Sequence, residues 1–268
     1  MLRAELILFA PILIGCSGST SEDAPRPGAG CSDRMQFQSA PVDLAATEMI
    51  VPLGLMSSSH VAPVDHIHFQ NNSNRSLSID VFTPAAGTVT NIQRMSQTQS
   101  DSGGTPIDDF RLVIDHGCLL SSIFIHVAQL APALAAVAPA LGQQTGVNVK
   151  LEAGELIGSY RGNVDYNVVD LDVVLPGLLE PASYEREPWK IHAAPPFSYF
   201  TDAIQAQMNA KSLRAEAPFD GRFDYDIDGR MVGNWFQQGT NGYGGADQQR
   251  YWPGTSRSRT TTSTPHTS

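Results

Sequence analysis

Phe110-Arg111-Leu112-Val113-Ile114-Asp115-His116-Gly117, followed a few residues later by Ile123-Phe124-Ile125-His126-Val127, decides how this chain folds. Aliphatic, β-branched and aromatic side chains fill both runs, and a glycine closes the first, so each is expected to be a strand with a face on a core. Upstream, Ser78-Ile79-Asp80-Val81-Phe82 and Gly87-Thr88-Val89-Thr90-Asn91-Ile92 alternate or run apolar in the same way, and Pro, Gly and Ser-rich turns separate the pieces. The chain is therefore expected to be mainly β. Two stretches read as helices: the Ala- and Leu-rich Val127 to Leu141, with Pro132 and Pro139 against it, and Thr201 to Ala215, whose Ile204, Met208 and Leu213 form one apolar stripe.

Toward the N-terminus, Arg3 precedes an apolar run from Leu6 to Ile14 that is too short to span a bilayer and leads into Leu13-Ile14-Gly15-Cys16. That is the pattern of a bacterial lipoprotein signal. Residues 1–16 are read as the signal ending at a lipidated Cys16, which places the protein in the cell envelope. In a host with two membranes, Ser17 favours the outer one. Residues 17–45 are read as a tether, because Ser17 to Arg34 is too poor in apolar side chains to offset the entropy of ordering. With Cys16 set aside, Cys31 and Cys118 remain as a disulfide pair or as two thiols. Seventeen Lys and Arg against 27 Asp and Glu give a formal net charge of −10. Such a balance excludes a phosphate-tracking nucleic-acid binder and points to a neutral, cationic or metal partner.

The order of the strand-like pieces is also informative. Pro84-Ala85-Ala86-Gly87-Thr88-Val89, then Leu112 to Gly117, then Ile123 to Val127, then Val147-Asn148-Val149-Lys150-Leu151-Glu152-Ala153-Gly154-Glu155-Leu156-Ile157-Gly158 resembles the lysostaphin/LytM-type zinc endopeptidases of bacterial cell walls, built on the duplicated hybrid motif. The resemblance implies a small open β-sandwich over residues 46–172, a final hairpin, and glycines where turns need positive φ. A smaller β-containing extension over 173–254 is expected to follow. It further implies zinc held by a His and an Asp of an early motif and a His of a late His-x-His, with other histidines moving protons. His60 and Asp65 match the early pair, at a spacing one residue longer, and His126 matches a catalytic histidine. Val164 and Asp165 stand where the two late histidines belong, so the expected ligand set is His60, Asp65 and Asp165.

A site so short of imidazole is expected to lose turnover. The leading expectation is a lipid-anchored module that binds a cell-wall peptide, a glycan or an envelope protein without catalysis. The alternatives are a zinc-dependent peptidoglycan endopeptidase with an altered ligand set and a structural or metal-binding lipoprotein.

Asp65-His66-Ile67-His68-Phe69 offers a different metal pair, since alternation on a strand would put His66 and His68 on one face and Ile67 and Phe69 on the other. The competing reading makes both histidines half-buried strand residues bonded to backbone, and His116 a structural residue at a strand end. Asp220 to Arg230 contains D-x-D-x-D-G, but Tyr225 and Ile227 between the acids and Trp235 at the closing position exclude an EF-hand. A strand with Asp224, Asp226 and Asp228 on its wet face is expected instead. Residues 255–268, nearly all Thr, Ser and Arg, read as a disordered tail or as the out-of-frame remnant of a strand.

Overall fold

The computed structural model describes residues 35–55, 63–95, 99–100, 106–244 and 255–258. The readings of Cys16, Cys31 and His60 lie outside the described residues. In chain order the strands are β1 (Met49–Val51), β2 (Ile67–Gln70), β3 (Ile79–Phe82), β4 (Gly87–Arg94), β5 (Gln99–Ser100), β6 (Pro106–Ile107), β7 (Phe110–Gly117), β8 (Leu120–Val127), β9 (Gln129–Leu130), β10 (Gln144–Leu151), β11 (Leu156–Tyr160), β12 (Asn163–Asp170), β13 (Ala193–Ala194), β14 (Gly233–Phe236) and β15 (Thr255–Ser258). The helices are α1 (Pro132–Ala135) and α2 (Asp202–Lys211).

The protein is mainly β. One antiparallel sheet runs β1-β2-β12-β8-β7-β4-β10, with β13 beside β12, and a smaller sheet runs β3-β11-β9. Ile79, Val81, Ile157, Tyr160 and Leu130 of the small sheet share a buried cluster with Ile67, Phe69, Val89, Leu112, Ile114, Phe124, Val164 and Tyr166 of the large one, so the two close as an open sandwich. On β2, Ile67 and Phe69 enter that core, as the alternation required, leaving His68, and His66 just ahead of the strand, on the opposite side. On β12, Val164, Tyr166 and Val168 do the same, leaving Asp165 and Asn167 on the face of the histidines.

Several boundaries differ from expectation. The tether reading reaches too far, because Phe37, Val42 and Leu44 are buried in the core. Phe37 also exchanges backbone hydrogen bonds with Tyr199 and Thr201. The C-terminal region divides: Phe197, Tyr199, Phe200 and Met208 join the same cluster, while Leu175, Leu178, Tyr184, Phe223 and Tyr243 form a second one. Val127 to Leu141 is helical only over α1, since its N-terminal part pairs as β9 with β11. Helix α2 buries Met208, whereas Leu213 lies beyond it, 53% exposed.

The expected hairpin at Val147 to Gly158 is a crossover instead. Strand β10 pairs with β4, β11 pairs with β3 and β9, and the turn at Gly154 carries the chain from one sheet to the other. Gly154 has φ +77°, as a tight turn requires, while Gly158 serves a different need. A Cβ on Gly158 would lie 2.2 Å from the Gln129 carbonyl oxygen. Residues 220–230 form no strand beyond a bridge at Gly221. The Asp224 carboxylate accepts from Gly177 N–H, and that of Asp226 accepts from the Leu179 and Asn234 N–H groups, so these acids tie loops together and do not line a wet face. Thr255–Ser258, read as tail, pairs with β14; backbone pairing needs no apolar side chains. Cys118 is disulfide-bonded.

Candidate metal centre

On the face of the large sheet away from the sandwich core, β2 and β12 are hydrogen-bonded neighbours, with His68 directly opposite Asp165. His68 Nδ1 lies 2.7 Å from Asp165 Oδ1, and His66 Nε2 lies 3.2 Å from Asp165 Oδ2. The two imidazoles meet edge to face with ring centroids 4.6 Å apart. Their exposure is 6% each and that of Asp165 is 4%.

A third imidazole arrives through an irregularity of β8. Phe124 and Val127 both enter the sandwich core, which strict alternation forbids for residues three apart. Between the pairs Phe110↔Val127 and Leu112↔Phe124, β8 carries two residues against one on β7, and the extra one is accommodated by His126 at φ +73°. This β-bulge turns the His126 ring toward the centre. Its Nε2 lies 3.4 Å from Asp165 Oδ2, and its Nδ1 lies 3.0 Å from Asp109 Oδ2, on a carboxylate that is 1% exposed. A left-handed non-glycine residue at such a place costs on the order of 1–3 kcal/mol and is a mark of functional sites.

Behind His66 stands Asp65. Its Oδ1 is 3.0 Å from His66 Nδ1, its Oδ2 accepts from Lys190 Nζ, and its carbonyl oxygen accepts from Asn167 Nδ2 at 2.7 Å. Burial alone would lower the basicity of His66 and His126, but the surrounding carboxylates outweigh it. They raise His66 to about 9, with Asp165 the main cause, and His126 to about 10, through Asp109 and Asp165. Burial likewise opposes ionisation of Asp165, and the neighbouring imidazoles hold its carboxyl well below the usual carboxylate range. Asp65, Asp109 and Asp165 against Lys190 leave two buried negative charges, which two imidazolium protons or one divalent cation would offset.

One ligand atom each from His66, His68 and Asp165 can be chosen so that all lie within 4.8 Å of one another. Ligands bound to tetrahedral zinc at about 2.0–2.1 Å stand roughly 3.3 Å apart, so the 3.2 Å from His66 to Asp165 fits without adjustment and the wider separations must close slightly. Two imidazoles and a carboxylate are a donor set zinc accepts.

Of the residues singled out in the sequence, the structure brings together Asp165, His126 and the alternative pair His66 and His68. It places Asp65 one step back, with both carboxylate oxygens engaged by His66 and Lys190. His66 and His68 are buried and bonded to carboxylates, in contrast to the half-buried, backbone-bonded reading. His116 is structural: Nδ1 donates to the Ala86 carbonyl at 3.0 Å and Nε2 meets Ser122 Oγ at 2.9 Å. Sequence reasoning missed Asp109 and Lys190. A lysine inside Pro188-Trp189-Lys190-Ile191 was the one available sign of a buried cation.

No family model matches the chain, and no curated protein matches it. Among solved structures, it is similar to Csd3 of Helicobacter pylori (12% identity, TM-score 0.33) over 62% of this chain and 33% of that one. It is similar to a structure of the SpoIIQ-SpoIIIAH pore forming complex (11%, TM-score 0.35) over 52% and 85%. A zinc containing peptidase from Vibrio cholerae (17%, TM-score 0.31) aligns over 50% and 37%. The chain thus spans about a third of the length of the Csd3 and Vibrio chains.

Proposed function

We propose that the protein is a zinc-binding component of the bacterial cell envelope, its metal held by His66, His68 and Asp165, that binds a cell-wall peptide, glycan or envelope protein at the exposed edge of His126. The observation carrying this reading is the convergence of those three donors, His68 and Asp165 from paired strands and His66 from the residue ahead of β2. The LytM resemblance implies a histidine and an aspartate on the early segment and a His-x-His on the late one. In this chain the donor types are exchanged, with a His-x-His at the start of β2, His66 just ahead of the strand and His68 within it, and the aspartate on β12. The imidazoles that the late segment lacks are therefore supplied by the early one.

Zinc at this place would supply Lewis acidity toward a carbonyl oxygen and acidify a bound water. Asp109 fixes the His126 ring through Nδ1 and aims Nε2 at the centre, while the 26% exposure of that side chain gives a ligand an approach the other donors lack. The leader pattern at Leu13 to Cys16 supports the envelope, and a charge of −10 suits a neutral or cationic partner. To test the metal, zinc would be counted per chain in protein lacking residues 1–16. One equivalent is expected in wild type and a large loss in His66→Ala and Asp165→Ala; retention in both variants would refute the site.

A second reading, metal-dependent hydrolysis of cell-wall peptides, is favoured by His126 itself. An imidazole backed by a buried carboxylate, partly exposed, and held by a left-handed backbone is suited to carry a proton at Nε2. Incubation with purified sacculi separates the two. Binding without released fragments supports the first, and chelator-sensitive release lost in His126→Ala supports the second.

A further inference from the structure

We infer that Lys190 is a positioning residue of the metal centre, holding the Asp65 carboxylate so that His66 presents Nε2 toward Asp165. The inference rests on the metal reading above. Lys190 comes from the 3-10 turn Pro188–His192, which packs on β12, and is separated from Asp65 by 125 positions. It is 4% exposed, and its ammonium stands 4.3 Å from the Trp189 ring centroid and 4.5 Å from that of Tyr243.

A buried ammonium needs an anion. Glu187, just ahead of that turn, lies 3.1 Å away and would meet that need locally. Yet Nζ also reaches inward to Asp65 Oδ2, and this contact is what ties the C-terminal region to β2 chemistry. With Oδ2 held by Lys190, Oδ1 faces His66 Nδ1 at 3.0 Å. A carboxylate only accepts, so Nδ1 carries the hydrogen and Nε2 is the nitrogen directed at Asp165. This is the arrangement by which a metal-ligating histidine has its ring orientation and tautomer fixed from behind, extended here by one cation.

The test uses the full chain and zinc alone, with affinity read by competition against a chromophoric chelator. Lys190→Met should bind zinc about 10- to 100-fold more weakly than wild type, the usual effect of removing an outer partner of a metal ligand, with the circular dichroism of the metal-free protein preserved. Lys190→Arg, which keeps charge and donors, should recover most of that loss, a rescue that a role confined to packing would not give. Asp65→Asn breaks the same link from the other end, and the double variant should be no weaker than the weaker single one. Wild-type affinity in Asp65→Asn would overturn the inference even if Lys190→Met failed to fold. Equal affinity of Lys190→Met and wild type would overturn it while leaving the zinc site intact, whereas a wild type that binds no zinc would remove both.

Discussion

At the scale of single residues, the sandwich core and the centre use histidine in opposite ways. His116 is held neutral: burial lowers its basicity from the ordinary 6.5, and it packs 5.1 Å from the Phe37 ring with Ala86, Ser122 and, on its own strand, Asp115 around it. Below about pH 6.5 the unfolded chain takes up a proton that folded His116 refuses, so its contribution to stability is present above that pH and lost as pH falls. Chemical denaturation at pH 7.5 and 5.0 should show a steeper acid loss in wild type than in His116→Gln; equal losses would contradict the assignment. The His-x-His face of β2 was legible from alternation alone, because Ile67 and Phe69 could only point to a core. Asp165 was legible by alignment with the late motif. Lys190 was not, since nothing local links it to Asp65.

At the scale of elements, the strands announced themselves through β-branched runs, but their partners did not, because pairing depends on packing between distant segments. The segment around Gly154 shows this: its glycines and valines fit a hairpin equally well, and only the burial of Leu151 and Ile157 in one core sends β10 and β11 to different sheets. Gly158→Ala should destabilise the protein by about 1–3 kcal/mol, since its Cβ would also meet Val127 Cγ1 at 2.8 Å, and urea denaturation would measure the loss. The β7–β8 turn provides a contrasting case. Cys118 and Leu119 sit at φ +52° and +61°, the geometry of a two-residue turn that favours glycine or asparagine. Leu119→Gly should raise stability by up to about 1 kcal/mol, and a lower thermal midpoint would refute that. The His126 bulge was hidden for the same reason as the pairings: a left-handed residue leaves no mark on hydropathy.

At the scale of the whole molecule, Phe37 near the start of the described chain and Phe197 to Met208 of the C-terminal region share the sandwich core, so the sandwich and that part of the C-terminal region should unfold together. Phe200→Ala, which empties a side chain 1% exposed, should cost about 3–5 kcal/mol and lower a single calorimetric transition; two transitions with the sandwich unmoved would show separable domains. The hydrogen bonds between Phe37 and Tyr199 and between Asp65 and Lys190 also bear on time. Contacts closed across such long loops form late and make folding slow. Synthesis must pass Lys190 before the second contact can exist and Tyr199 before the first. The interval between emergence and completion of the cluster is thus set by topology: a chain not yet made as far as Lys190 has His66, His68 and Asp165 without the ammonium that holds Asp65 behind them.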